Sequence, residues 1–280
     1  METIKVGNKV FRKATDMETR EIQIELLDVL HEYCTNHGLQ YFIIAGTLLG
    51  AVRHHGYIPW DDDIDVVMMR NDYDTLIRDF KSSSHRIISS ETADSYPLPF
   101  AKLEKLGTYT EEGMVVYKDI LGINIDIFPV DFVPSSKEER ERIFKKNNRL
   151  RWLLDQKGTF PTNEMSTVKR LEHAVFQFVS LPLSLKKIMN MIRKNATSTN
   201  ASDTDKCAEV VWGCGEREVV STDVFSDSVE LQFEEKTYKA PKGWDKWLSS
   251  RYGDYMKLPP IEQQVTHHVK KDYILVEKEN

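Results

Sequence analysis

Four aspartates fall within five positions of the stretch GYIPWDDDIDVVMM (residues 56–69), at 61, 62, 63 and 65, and an apolar run begins directly behind them. An apolar run of this kind, bounded by turn residues, reads as a buried strand. Carboxylates massed at its mouth are costly unless something compensates their charge. Three compensations exist: a metal ion, a basic partner, or open water. A run of aspartates is most often a solvated loop, so its neighbours must decide. On a strand, side chains at i, i+2 and i+4 share a face. The spacing therefore predicts Asp61, Asp63 and Asp65 converging on one side, with Asp62 turned away. Converging carboxylates repel unless a cation sits among them. Oxygen-only ligation suits Mg²⁺ or Mn²⁺, which keep positions for water and substrate phosphates. The spaced ligands and distal Glu of an EF-hand calcium loop are missing.

The flanking chain supplies context. Residues 16–37 place Ile22, Leu26, Val29, Leu30 and Tyr33 on one helical face, with Asp16 as a candidate N-cap and Gly38 as a stop. QYFIIAG reads as a buried strand ending at Gly46, TLLGAVRHH as the start of a short helix and GYIPW as a turn. DIDVVMM is predicted as a second strand, NDYDTLIRDFKSS as an amphipathic helix, and RIISSE and FAKLEK as short strands. In GINIDIFPVDFVP, Ile123, Ile125 and Ile127 face one way and Asn124, Asp126 and Phe128 the other, with Pro129 and Pro134 expected to end the strand. Asp126 then becomes the natural fourth carboxylate, carried on a different strand. The order of elements predicts a small mixed α/β catalytic core, and the chain shows no internal repeat.

Composition narrows the function classes. The chain has 280 residues, 40% of them hydrophobic, with five Trp, so it can bury a sizeable core as one domain or two. A net charge of −6 argues against general nucleic-acid binding. Between residues 140 and 194, however, 13 Lys/Arg face 4 Asp/Glu, mostly in helical patterns. Such a basic segment suits an anionic membrane leaflet or a phosphate-rich glycan precursor, or is simply a helical insertion packed on the core. Three expected units follow: a catalytic core at 1–136, a basic helical insertion at 137–205 and a completing segment at 206–280. Cys34, Cys207 and Cys214 match neither a disulfide framework nor a zinc pattern. No apolar signal core opens the sequence, and no apolar run is long enough to span a bilayer. A reduced, cytoplasmic protein is expected, which makes the glycosylation-like triplets at Asn195 and Asn200 chance matches.

Gly46-Thr47, then Asp63-Ile64-Asp65-Val66, then Asp126 resembles the nucleotidyltransferase superfamily. There a Gly-Ser or Gly-Thr turn, an Asp-apolar-Asp-apolar strand and a later Asp make a metal site. AGTLLGAVRHHGYIPWDDDIDVVM, GINIDIFPVDFVP and YGDYMKLPP…HH together resemble the LicD family, named for bacterial phosphocholine transferases, from about Ile22 to His268. The resemblance implies an α+β fold with a nucleotidyltransferase-like core, a small mixed sheet and a helical insertion. It also implies transfer of a phospho-alcohol from a CDP-activated donor, CDP-choline first, to a sugar hydroxyl of a lipid-linked or polymeric cell-surface glycan. That glycan would be a teichoic acid, lipopolysaccharide or capsule precursor, and CMP would be released. Relatives carry phosphocholine and a distant animal branch ribitol phosphate, so the motif does not name the alcohol.

On this reading Asp61, Asp63, Asp65 and Asp126 are the metal ligands, and Asp63, Asp65 and Asp126 the catalytic set. Asp126 is also the candidate base for the acceptor hydroxyl. Metal-bound diphosphate oxygens and a stabilised CMP leaving group would provide most of the catalysis. Gly46 would permit close backbone approach, and Thr47 with the amides of GTLLG would hold phosphate at a helix start. Arg53 would clamp phosphate bidentately, unless it instead supports the acidic cluster structurally. Lys102, His267 and His268 are further phosphate or acceptor contacts, each with an ordinary surface role as the alternative. Trp60 reads as a packing wedge, and His54 and His55 as surface residues. Two other classes remain open: a nucleotidyltransferase or glycosyltransferase using the same aspartates on an NTP or nucleotide sugar, and a non-catalytic module binding anionic glycans.

Overall fold

The computed structural model of the chain describes residues 2–112, 121–158, 183–266 and 270–276, together with 166, 168, 170–171, 174–176 and 180. Its first helix, α1 (Asp16–His37), starts at a capping box. The Thr15 hydroxyl accepts from the Glu18 N–H, and the Glu18 carboxylate accepts from the Thr15 N–H. Asp16, expected to cap, instead lies in the first turn, where its charge meets the positive end of the helix dipole. Gly38 closes the helix with φ 68°, a conformation costly for other residues. Leu26, Leu27 and Leu30 are fully buried on the side that packs against the central sheet.

That sheet has seven strands: β3 (Phe42–Ile43), β4 (Asp65–Met69), β5 (His85–Ile88), β6 (Ala101–Lys105), β8 (Asn124–Phe132), β9 (Lys206–Ala208) and β10 (Val220–Ser221). β4 and β8 run parallel at its middle, and the remaining pairings are antiparallel, so the sheet is mixed as the sequence predicts. Ile123, Ile125 and Ile127 are buried on one face of β8. A second, four-stranded sheet joins β1 (Thr3–Val6) and β2 (Lys9–Lys13) to β13 (Lys270–Leu275) and β7 (Thr108–Glu112). β11 (Ser228–Phe233) and β12 (Lys236–Pro241) form a hairpin.

Two predicted strand ends are wrong for identifiable reasons. β8 does not stop at Pro129 but continues to Phe132. The Asp126 N–H donates to Ile64 in the β4 direction, so the odd-numbered amides of β8 point the other way. On that side β6 pairs as far as Ile127 and β9 from Asp131, and the proline, which has no N–H, falls in the gap. The strand before Gly46 is shorter than expected. It ends at Ile43, and Ala45, with φ 49°, turns the chain into α2 (Ala45–His54). α3 (Arg70–Asp79) follows β4 and packs on β4 and β8.

The basic segment contributes α4 (Lys137–Gly158) and α5 (Leu185–Ala196), which pack on each other through the buried pair Asn195–Asn147. Ile188, Met189 and Ile192 of α5 belong to the main core. Part of the positive charge is matched locally, with Arg193 on Asp74 and Glu91, Lys186 on Asp94, and Arg140 on Glu216. Beyond it, α6 (Trp244–Tyr252) packs against α2 and β10. No described helix is long and apolar enough to cross a membrane.

Candidate active site

The parallel register sets Asp65 directly beside Asp126. Neighbouring strands lie about 4.8 Å apart, so two carboxylates at one register position on one face are close neighbours. Only Asp65 is itself in the strand, because Asp61–Ile64 form an irregular approach to it. The approach is held by its own carbonyls. Arg20 donates to the Asp61 carbonyl oxygen, and Gln23 and Lys270 donate to that of Asp62. Strand alternation therefore does not apply there, and the expectation that Asp62 turns away fails. Asp61, Asp62 and Asp63 each bring a carboxylate oxygen to within 4.8 Å of the others.

The Gly-Thr turn shapes this cluster from beneath. The buried Thr47 hydroxyl accepts from the Asp65 N–H at 2.8 Å, locking the start of β4 to α2. A Cβ at Gly46 would overlap the Asp61 carboxylate, so glycine here makes room for that side chain. The close approach expected of Gly46 is thus made by a carboxylate of the chain itself.

The electrostatics show a shortage of positive charge. Burial, then the charge of Asp63, pushes the Asp61 carboxyl up to about 7. Asp65 is pushed well above the carboxylate range by burial and by Asp63, Asp126 and Asp61, with Lys102 opposing. Lys102 is 5% exposed and donates to Asp126 Oδ1 at 2.6 Å and to Asn124 at 3.0 Å, while Lys270 pairs with Asp62 at 3.7 Å. Lys102 and Lys270 answer only Asp126 and Asp62 directly, and the raised Asp61 and Asp65 carboxyls record the crowding of like charges. Clustered, half-buried oxygen ligands of this kind fit a hard divalent cation.

Asp63, Asp65 and Asp126 line a cavity of about 220 Å³. Its other walls come from residues the sequence reading did not select: Glu209, Trp212 and Glu218 between β9 and β10, Phe225, and Trp247 and Arg251 of α6. Glu209 precedes the apolar Val210–Val211–Trp212 and Glu218 ends the charged Glu216–Arg217–Glu218 run, and neither has motif spacing to mark it. Burial raises both carboxyls, Glu209 well above the ordinary range with Glu218 adding to the shift. Arg251 pairs with Glu218 at 3.2 Å. On the far side of the aspartate approach a second cleft of about 300 Å³ is lined by Asp61, Asp62, Trp60 and four cations, Lys13, Arg20, Lys270 and Lys271.

The other selected residues are placed as follows. Lys102, expected on phosphate, lies instead on Asp126, its register partner across β6 and β8. Arg53 does not line the aspartate cavity. It donates to His54 and to the carbonyl oxygen of Tyr255, so it ties α2 to the C-terminal segment. Trp60 packs partly buried on the core, as a wedge should. His54 is half-buried beside Arg53 and Trp60 rather than on the surface, while His55, exposed with φ 57°, ends α2. His267 and His268 lie outside the described residues.

Comparison with known proteins agrees with this layout. The family described as LicD/FKTN/FKRP, nucleotidyltransferase domain, matches residues 38–182, which carry the Gly-Thr turn, the aspartate approach and both central strands. The lipopolysaccharide cholinephosphotransferase LicD of Haemophilus influenzae is 28% identical over 278 residues, covering 94% of this chain and all of that protein. An uncharacterised protein of Rickettsia typhi is 42% identical over 66 residues, 22% of this chain and 21% of its own. With more than half its length inside the family match, the chain belongs to the LicD family.

Proposed function

We propose that the protein transfers phosphocholine from CDP-choline to a sugar hydroxyl of a cell-surface glycan, lipopolysaccharide or a related polymer, with a divalent cation on a nucleotidyltransferase-like core. The observation that carries this is the register that sets Asp65 beside Asp126, with Asp61, Asp62 and Asp63 clustered immediately upstream. The full-length similarity to a lipopolysaccharide cholinephosphotransferase supports the choice of group and acceptor. Asp61, Asp63, Asp65 and Asp126 would hold Mg²⁺ or Mn²⁺, with Asp62 alongside. The ion supplies charge neutralisation for the diphosphate and the departing CMP.

The chain's own residues do the rest. The acceptor oxygen attacks the phosphorus that bears choline, and the bond from that phosphorus to the bridging oxygen breaks. The electron pair leaves with CMP, and Asp126 at the cavity wall takes the hydroxyl proton. Thr47 and Gly46 hold the approach in shape, Lys102 fixes the Asp126 carboxylate, and the four cations of the second cleft would suit an anionic glycan or nucleotide.

The test is CMP release from CDP-choline, CDP-ethanolamine, CDP-ribitol and CDP-glycerol with a glycan acceptor, in Mg²⁺, in EDTA, and with Asp63→Ala/Asp65→Ala protein. Loss of the aspartate pair should cost at least ~3 kcal/mol of transition-state stabilisation, more than a hundredfold in rate. Turnover of an NTP or nucleotide sugar in place of every CDP-alcohol would overturn the proposal.

A further inference from the structure

The aspartate cavity is more acidic than its aspartates. Glu209 and Glu218 join Asp63, Asp65 and Asp126 on its lining, and Arg251 is the one basic residue among the lining positions. Glu218 is 4% exposed; its Oε1 pairs with Arg251 at 3.2 Å, while its Oε2 has no hydrogen-bond partner among the described residues. A Cβ at Gly213 would overlap that oxygen, so glycine permits the carboxylate to sit there. Glu209 Oε1 accepts from the backbone N–H of Trp212 at 2.8 Å. An unpaired buried carboxylate oxygen destabilises the empty protein, which points to a ligand that compensates it.

The rings beside these carboxylates indicate which ligand. Trp212 and Trp247 line the same cavity with Phe128 and Phe225. Arg151 fixes Trp212, with its guanidinium 4.2 Å over the ring and its Nη1 donating to the Trp212 carbonyl oxygen at 2.9 Å. Aromatic rings with carboxylates nearby suit a cation that carries no N–H of its own, a quaternary ammonium. A cytosine amino group would also suit a glutamate. However, Arg151 already covers one face of Trp212, and about 220 Å³ is below the ~300–1,000 Å³ that encloses a whole drug-sized ligand. The space fits a small head group better than a nucleotide.

We infer that Trp212, Trp247, Glu209 and Glu218 form a subsite for a quaternary ammonium group, placed so that the phosphate attached to it reaches Asp63, Asp65 and Asp126. This rests on the phosphocholine reading and adds what selects the alcohol. The aspartates would bind the phosphate of any CDP-alcohol, whereas the glutamate and tryptophan wall distinguishes choline from uncharged alcohols.

Isothermal titration in Mg²⁺ tests this with phosphocholine, its isostere 3,3-dimethylbutyl phosphate, whose head group carries no charge, and CMP. Wild-type protein should bind phosphocholine at least about tenfold more tightly than the isostere. Glu218→Gln should remove most of that preference while leaving CMP binding unchanged. Equal binding of phosphocholine and isostere by wild-type protein would overturn the subsite without relying on any variant. So would a Glu218→Gln protein, with its melting temperature checked, that keeps the ratio or that weakens CMP and phosphocholine alike. Release of CMP from CDP-choline alongside such a failure would leave the transfer reaction standing. Turnover of CDP-ribitol or CDP-glycerol but not CDP-choline would overturn both.

Discussion

Replacing Lys102 by Met is the most informative single perturbation of the site. The ammonium is buried, donates to Asp126 at 2.6 Å and Asn124 at 3.0 Å, and opposes the upward shift of Asp65. Met is unbranched and of similar volume, one atom shorter, and removes the charge and donors. Asp126 is then left without its cation beside Asp65. Removing one partner of a buried ion pair typically costs about 3–5 kcal/mol, a large part of the 5–15 kcal/mol that holds a domain of ordinary stability. Urea denaturation at pH 8 without divalent metal should show a loss of that size. The loss should shrink at pH 5.5, where the Asp61 carboxyl, raised to about 7, has taken up a proton and lightens the cluster, and in the Lys102→Met/Asp126→Asn double variant, which no longer buries the orphaned charge. A loss below about 1 kcal/mol at pH 8, or a double variant as unstable as the sum of the singles, would refute the idea that Lys102 is the fixed counter-charge of this cluster.

Other consequences follow from the same geometry. Asp61 has a folded pKa raised to about 7, so the folded protein binds more protons than the unfolded chain between the ordinary carboxylate range and pH 7. In EDTA the contribution of this group to stability is therefore greatest at low pH and lost as pH rises toward 7. Thermal melting should show that decline, and millimolar Mg²⁺ should reverse it near pH 8. Gly46→Ala should displace the Asp61 carboxylate, because the new Cβ overlaps it. Metal affinity by titration should fall at least about tenfold, as for other disturbances close to a metal site, while the melting temperature changes little, since only a side-chain end must move. Arg70 pairs with the buried Asp131 through bonds of 2.7 and 2.6 Å, so Arg70→Met should cost ~3–5 kcal/mol in urea denaturation.

The sequence shows the main features of this site because they depend on local pattern. Period-two alternation identified β8 and put Asp126 opposite the isoleucines, and the aspartate run marked the mouth of β4. What pattern could not show was which strand neighbours which. The β4–β8 register and the Lys102–Asp126 pair arise from pairing across the sheet, so Lys102 read as a phosphate contact or a surface lysine, and its buried pairing with Asp126 did not show. Side-chain capping of carbonyls defeated strand alternation at Asp61–Asp63, and a gap between β6 and β9 allowed Pro129 inside a strand. Glu209 and Glu218 reach the cavity only because β9 and β10 add to the sheet from far along the chain. No spacing near either glutamate signals that approach.

The most direct measurement is the mass of a lipopolysaccharide acceptor after incubation with the protein, CDP-choline and Mg²⁺, alongside the nucleotide released. The bond cleavage proposed above predicts an acceptor heavier by one phosphocholine for each CMP formed, with neither product in EDTA or with Asp63→Ala/Asp65→Ala protein. An acceptor that gains CMP or a sugar, or one that gains phosphocholine undiminished in the aspartate variant, would contradict it.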